Sequence, residues 1–328
     1  MKTKLGITLS VLLAFSTPVL ADPFVVKINN QFGFIDETGK LVIPAKYDDT
    51  NSFSDGLAVV KINSKWGFIN KSGELVIPAK YDLANNFSDG LAPVQINGQF
   101  GFINKSGELV IPAKYNVASN FFDGSALVKI NGKWGFINKS GELVIPAKYD
   151  VASNFSDGLA RVEINDKYGF INQTGKLVIP AKYDDANSFS DGLALVEING
   201  KYGFINKSGK LVIPAKYDVA SNFSDGLARV KINDKNGFIN KSGELVIPAK
   251  YDWTYYFSKS DGLAPVQING KYGFINKSGE LVIPAKYDNA YVFSDGLASV
   301  KINDENVIIN KSGKVIFNIT KEEKQQAK

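Results

Sequence analysis

Along most of the chain, apolar residues fall in short alternating runs separated by two to four polar residues or glycines. From Leu57 the runs read Leu-Ala-Val-Val-Lys-Ile, Trp-Gly-Phe-Ile-Asn and Glu-Leu-Val-Ile-Pro, with Asn63-Ser64 and Asn70-Lys71-Ser72-Gly73 at the breaks. Runs this short with a period of two predict strands. The Asn-Ser pair, Asn-Gly or Asn-Asp in most other copies, predicts a two-residue hairpin turn. Asn70 and Gly73 predict a three-residue hairpin loop closed by a bulge. If Asn70 pairs with Glu74, then Ile69 lies opposite Leu75, Phe68 opposite Val76 and Gly67 opposite Ile77. Pro78 has no N–H to donate and is expected to end the third strand. Pairs on both faces of this ribbon are apolar, so both faces need cover. The nearest cover is a neighbouring sheet about 10 Å away. Gly67, without a side chain, lets another backbone or a large residue come close. In the connector that follows, Tyr81 and Phe87 are expected to anchor into the same stack before an Asp-Gly turn.

The whole pattern repeats. The glycine after the aromatic recurs at Gly33, Gly67, Gly101, Gly135, Gly169, Gly203, Gly237 and Gly273, every 34 residues apart from one step of 36, and Val307 takes its place in a ninth copy. The proline recurs in phase from Pro44 to Pro284, with Asn318 in the ninth. The expected fold is all-β: nine three-stranded antiparallel meanders stacked face to face over residues 22–320. The first unit opens on strand one and the last stops on strand three, so no strand is left over to be exchanged across a closure. The ninth unit, lacking aromatic, glycine and proline, reads as a cap. An open solenoid is therefore expected, with a closed β-propeller-like ring as the alternative.

With Trp66-Gly67 and Trp134-Gly135, an apolar strand, a proline, a Tyr-Asp and a Phe-Ser-Asp-Gly-Leu-Ala segment, the chain resembles the WG-repeat family of bacterial proteins. The resemblance spans Phe24 to about Asn318 and implies an all-β repeat protein, often exported, with no common activity or defined ligand site. The aromatic is Phe or Tyr in several copies, and Asn236 and Asn306 replace it in two.

Composition narrows the chemistry. Met1-Lys2-Thr3-Lys4, the apolar stretch Leu5 to Phe15 and Thr17 to Ala21 form the three parts of a secretory signal peptide, with cleavage expected after Ala21. No later stretch approaches the roughly 20 apolar residues of a spanning helix. Loss of Lys2 and Lys4 leaves 36 basic against 33 acidic residues, spread evenly, which is no footprint for nucleic acid. The chain has no cysteine and no histidine. That removes disulfides, thiolate nucleophiles, histidine bases and the usual zinc sets together. No cofactor, metal or catalytic residue is expected, and the acids belong to the periodic pattern or stand singly where catalysis needs one asymmetric perturbed pair. The repeated Asp-Gly corners, Asp55 to Asp295, offer one carboxylate each where calcium needs six or more oxygens, so they read as turn caps. The Asn-Lys-Ser and Asn-Gln-Thr sequons likewise read as loop chemistry.

Two stretches depart from the bland pattern. In Tyr251 to Gly262, Lys259 and Ser260 lengthen the unit, and Trp253, Tyr255 and Tyr256 stand where other copies carry Val, Ser and Asn. They are either an aromatic platform for a sugar ring or a peptide, or rings that refill a stack thinned by Asn236. The other is the variable position of strand one: Val59, Pro93, Leu127, Arg161, Leu195, Arg229, Pro265 and Ser299. Its variety suggests a position outside the core, either a docking row with Arg161 and Arg229 as its polar contacts or drift at solvent-facing sites. The reading is an exported, non-enzymatic binding or scaffold protein of the cell envelope, acting on another envelope protein. Alternatives are a glycan or cell-wall partner and a purely structural spacer. The tail Lys321 to Lys328 is polar and expected to be disordered.

Overall fold

The computed structural model describes residues 22–326; the expected leader, residues 1–21, lies outside the described residues. The first unit consists of β1 (Phe24–Ile28), β2 (Gln31–Ile35) and β3 (Leu41–Tyr47). The second adds a short strand before its meander: β4 (Asp49–Thr50), β5 (Leu57–Ile62), β6 (Lys65–Asn70) and β7 (Leu75–Tyr81). Among the described residues the chain forms nine such antiparallel sheets, in strictly sequential strand order. Local chemistry explains the turns. Asn63 and Ser64 both have positive φ, 49° and 65°, as the tight hairpin turn requires. In the second loop Asn70 N–H donates to the Glu74 carbonyl at 3.0 Å, and Asn70 Oδ1 accepts from Ser72 N–H and Ser72 Oγ–H.

The core is the set of contacts between sheets. Side chains alternate across each ribbon, so Phe68 points forward and Ile69 backward, and both are 0% exposed. Between the second and third sheets, Val59, Phe68, Ile77 and Tyr81 meet Phe87, Ala92, Val94 and Ile103. The Phe68 and Phe87 rings are tilted, with centroids 4.8 Å apart, a geometry that adds to simple burial. Tyr81 and Phe87 are thus the expected anchors.

The array closes into a nine-bladed ring, a β-propeller, which corrects the expectation of an open solenoid. Blade 1 and blade 9 share a cluster in which Val26, Ile28 and Ile35 meet Leu297 and Ile308. In an open stack these three residues of blade 1 would be bare; they are 2%, 0% and 0% exposed. The loops tell the same story: Gly73 abuts Ile43 of the blade before it, and Gly39 abuts Ile316 and Phe317 of blade 9 in the same way. Closure needs no exchanged strand because the adhesive surface is the face of a sheet, not its edge. The ninth unit is therefore one side of a seam and not a cap. Helix α1 (Ile319–Gln326) crosses that seam, with Ile319 packed on its cluster. It continues past Lys321, where the polar tail was expected to be disordered.

Two further expectations change. The outer strand does not stop at Pro78 but runs on to Tyr81, because it is an edge strand whose missing N–H costs nothing. Its register matches the expected Ile69–Leu75 pair, then shifts: Phe68 faces Ile77, not Val76, and Trp66 faces Tyr81. The extra residues of β7 bulge over Gly67, where a Cβ would lie 2.6 Å from the Ile77 carbonyl oxygen. Leu75 and Val76, on the outer rim, are exposed.

Candidate functional site

Each blade after the first begins with a connector that supplies the innermost strand or a single bridge, as Thr50 does opposite Val60 and Ala152 opposite Val162. Consecutive connectors touch along this edge of the sheets. Ser54 Oγ–H donates to the Phe87 carbonyl at 2.7 Å, and Ser88 to Phe121, Ser156 to Phe189 and Ser190 to Phe223 repeat the tie. The Asp-Gly corners do the same: Asp55 Oδ2 accepts from Gly90 N–H at 3.0 Å and Asp191 Oδ2 from Gly226 N–H at 2.7 Å. These carboxylates stitch blade to blade, and among the described residues no group of three or more His, Cys, Asp or Glu could hold a metal.

Two residues precede the phenylalanine of every connector. In blades 2 to 7 they are Asn or Ser, and they bond across blades: Asn120 Nδ2–H to the Asn86 carbonyl at 3.1 Å, Ser119 Oγ–H to Asn154 Oδ1 at 2.7 Å, Asn187 Nδ2–H to Asn222 Oδ1 at 3.0 Å. In blades 8 and 9 the pairs are Tyr255-Tyr256 and Tyr291-Val292, which carry no amide to continue the ladder. Tyr256 and Tyr291 are each 56% exposed. Trp253 and Tyr255 are also exposed and meet edge to face, centroids 6.0 Å apart. The inner belt is thus polar and self-bonded through six blades and aromatic through the two that precede the seam.

Trp253, Tyr255 and Tyr256 do not refill a thinned stack. Asn236 fills its own place, 3% exposed, with Nδ2–H donating to the carbonyls of Tyr251 and Asp252. The two inserted residues are absorbed in a turn around Asp261: its side chain accepts from Ser258 and Ser260, takes Gly296 N–H at 2.9 Å and faces Lys311 at 2.7 Å. Burial pushes the Asp261 carboxyl up, but hydrogen bonds from Lys311, Ser260 and Ser258 and the Lys311 charge together outweigh it and hold the acid below its ordinary value. A depressed folded pKa contributes stability that is fully present above the unfolded value near 3.9 and is lost as pH falls through the folded one. Melting temperature is expected to drop below about pH 4, and Asp261→Asn to make that decline shallower. An identical acid profile in thermal melts of the variant would show that Asp261 does not contribute.

The variable row lies inside the ring wall, contrary to its expected place outside the core. Val59, Pro93, Leu127, Leu195 and Pro265 are buried, because this position faces forward onto the next blade. Arg161, Arg229 and Ser299 are half-buried. Arg229 Nη1–H donates to the Thr254 carbonyl at 3.2 Å, and its guanidinium sits 5.0 Å from the centre of the Trp253 ring. Burial lowers the Arg229 pKa from its ordinary value. Arg161 reaches the Ala186 carbonyl and lies 4.8 Å over Tyr168. Variety is tolerated here because each side chain needs only to fill or reach across one blade gap. Arg229 thereby supports the aromatic group from behind, and Arg161 lies in blade 5, apart from it.

Sequence reasoning did not single out Tyr291 or the position of the aromatic pairs next to the seam. The signal was present in the phase: Tyr291-Val292 stands where six earlier connectors carry Asn or Ser.

The profile of the WG containing repeat matches eight stretches: 32–66, 66–99, 100–134, 134–168, 168–202, 202–235, 237–272 and 272–305. No curated protein matches the chain. Among solved structures, a eukaryotic initiation factor is similar over 90% of this chain and 95% of its own, with a TM-score of 0.64 at 10% identity, a likeness of fold alone. BamB from Moraxella catarrhalis aligns over 90% of this chain and 96% of its own at 12% identity, with a TM-score of 0.43. Among the described residues no helix is long and apolar enough to cross a membrane. With eight matched repeats running from residue 32 to residue 305, the chain belongs to the WG-repeat family.

Proposed function

We propose that the protein is an exported, non-enzymatic interaction scaffold of the cell envelope, and that it engages a partner protein through the aromatic arc of blades 8 and 9. The observation that carries this reading is the exposure of Tyr256 and Tyr291 at belt positions that elsewhere hold self-bonded Asn and Ser. Exposed tyrosines combine a large apolar surface with a hydroxyl and lose little rotamer freedom on contact, which suits them to protein recognition. The shallow grooves between blades, of about 410 Å³ at Tyr217 and about 430 Å³ at Tyr149, recur with the repeat and offer no comparable asymmetry.

A photocrosslinking amino acid placed at Tyr256 or Tyr291 is expected to give discrete protein adducts in the producing cell, and one placed at the exposed Phe122 of blade 4 to give none. Equal adducts from all three positions would remove the arc as the site. Capture of cell-wall glycan by the purified protein, abolished by Trp253→Ala with Tyr255→Ala, would replace the protein partner with a carbohydrate.

A further inference from the structure

The chain contains two arginines, Arg161 and Arg229, which stand at the same repeat position two blades apart. Their surroundings differ in charge. Arg161 has a carboxylate within reach, its Nη1 lying 3.8 Å from Asp185 Oδ1 of the next blade. Tyr168, over which it lies, has its pKa raised first by burial and then by Glu163, with Arg161 opposing and Asp185 adding, so two acids and the arginine converge on one ring. Two repeats on, each of these positions changes: Asp185 gives way to Trp253, Glu163 to Lys231 and Tyr168 to Asn236. The acids that remain nearby are engaged by other cations. Asp234 pairs with Lys231 at 3.0 Å, and Asp252 takes Lys235 and the Asn269 N–H at 2.8 Å. Arg229 is half-buried between the Thr254 carbonyl and the face of the Trp253 ring, and its pKa is lowered by burial with no carboxylate charge to offset it.

We propose that Arg229 anchors a carboxylate of the partner polypeptide, an Asp or Glu side chain that takes the part Asp185 plays beside Arg161. This deepens, and rests on, the reading of the aromatic arc as a protein-binding site. A guanidinium offers five N–H donors in one plane, a fork that matches a carboxylate in two parallel bonds. The bond from Nη1 to the Thr254 carbonyl fixes that plane, and the other N–H groups are the donors for the incoming acid. Around it stand rings. Tyr255 meets Trp253 edge to face, and Gln267 and Tyr272 continue the row from Trp253 across the sheet. The partner residue beside the acid therefore meets aromatic surface and is apolar. A half-buried guanidinium is screened less by salt than an exposed lysine, so a single pair here tells an acid from its amide. Arg229 covers one face of the Trp253 ring, which leaves less flat surface for a sugar to stack on and favours an acid carried by a polypeptide.

With only two arginines in the chain, the site can be watched directly. In protein carrying isotope-labelled arginine, the Nε–H spectrum has one signal for each, assigned by Arg161→Lys, and Arg161 serves as the internal control. The probes are acetyl-Leu-Glu-amide, its neutral isostere acetyl-Leu-Gln-amide, and glucuronate as an acidic sugar. The Glu peptide is expected to shift the Arg229 signal saturably, at least about tenfold more tightly than the Gln peptide, and to leave Arg161 in place. The Trp253 indole N–H is expected to move with Arg229 and to stop responding in Arg229→Gln. No shift at Arg229, equal shifts at both arginines, or equal affinity for the two peptides overturns the carboxylate site. Glucuronate binding as tightly as the Glu peptide overturns its polypeptide source. Photocrosslinks from Tyr256 that persist in any of these cases leave the aromatic arc standing as a protein site without the acid contact.

Discussion

Replacing Gly135 with valine is expected to destabilise the ring by about 3 kcal/mol or more, and replacing it with alanine to cost nearly as much. The reason is where the first added atom lands. A Cβ at Gly135 would lie 2.7 Å from both the Ile145 carbonyl oxygen and the Ala147 nitrogen, and 2.8 Å from the Ala147 Cα. All three are backbone atoms of the same sheet's outer strand, which cannot swing aside as a side chain can. They are there because Trp134 pairs with Tyr149 while Phe136 pairs with Ile145, so the outer strand has two more residues than the span it faces and bulges over the glycine. Blade 9 supplies the internal comparison. Val307 pairs with Asn318 and Ile308 with Phe317 in unbroken register, so the outer strand carries no extra residues at this step, its one shift falling between Ile308 and Ile309, and valine is accommodated. Thermal or denaturant unfolding of the two Gly135 variants reads the effect. Alanine behaving like wild type while valine is harmful would place the crowding in movable side chains and end the bulge explanation.

The coupling of glycine to bulge also shows what could be read from the chain and what could not. Turns were legible because Asn63, Ser64 and Gly73 impose backbone angles locally, whatever surrounds them. Burial on both faces was legible from the apolar pairs Phe68 and Ile69. The outer register was not, because proline reports a missing N–H without saying whether the strand has a partner that needs it. The variable row misleads for a related reason: variety suggests exposure, yet a forward-facing slot between blades accepts Val59 and Leu127 with both buried and the long Arg229 half-buried. Of the candidate site, Trp253, Tyr255 and Tyr256 stood out by the break in period, but their place on the inner belt, and the company of Tyr291, depend on curvature. Curvature accumulates over the whole array and leaves no mark in one unit. The one sequence trace of closure is Phe24, the large residue at a position that otherwise holds alanine, and it has meaning only once blade 9 is known to lie against it.

Ending the chain after Tyr287, which removes blade 9 and α1, is expected to strip protection from the opposite end of the molecule. In an open stack, loss of the last unit uncovers one face, that of Phe274, Ile283 and Tyr287, and leaves blade 1 as it was. In a ring the same cut breaks two interfaces and also bares Val26, Ile28 and Ile35. Five residues are fully buried at the seam; at roughly 1.5–3 kcal/mol for each large side chain, its loss removes stabilisation on the order of 10 kcal/mol. With two complementary apolar faces exposed, the truncated chain is expected to self-associate, each copy offering the surface the other lacks. The decisive measurement is hydrogen exchange in β1. Faster exchange at the amides of Val26 and Ile28 after a cut at residue 287 shows that blade 9 was holding blade 1. Unchanged exchange there, in a chain that remains monomeric, would return the array to an open stack and take the seam with it.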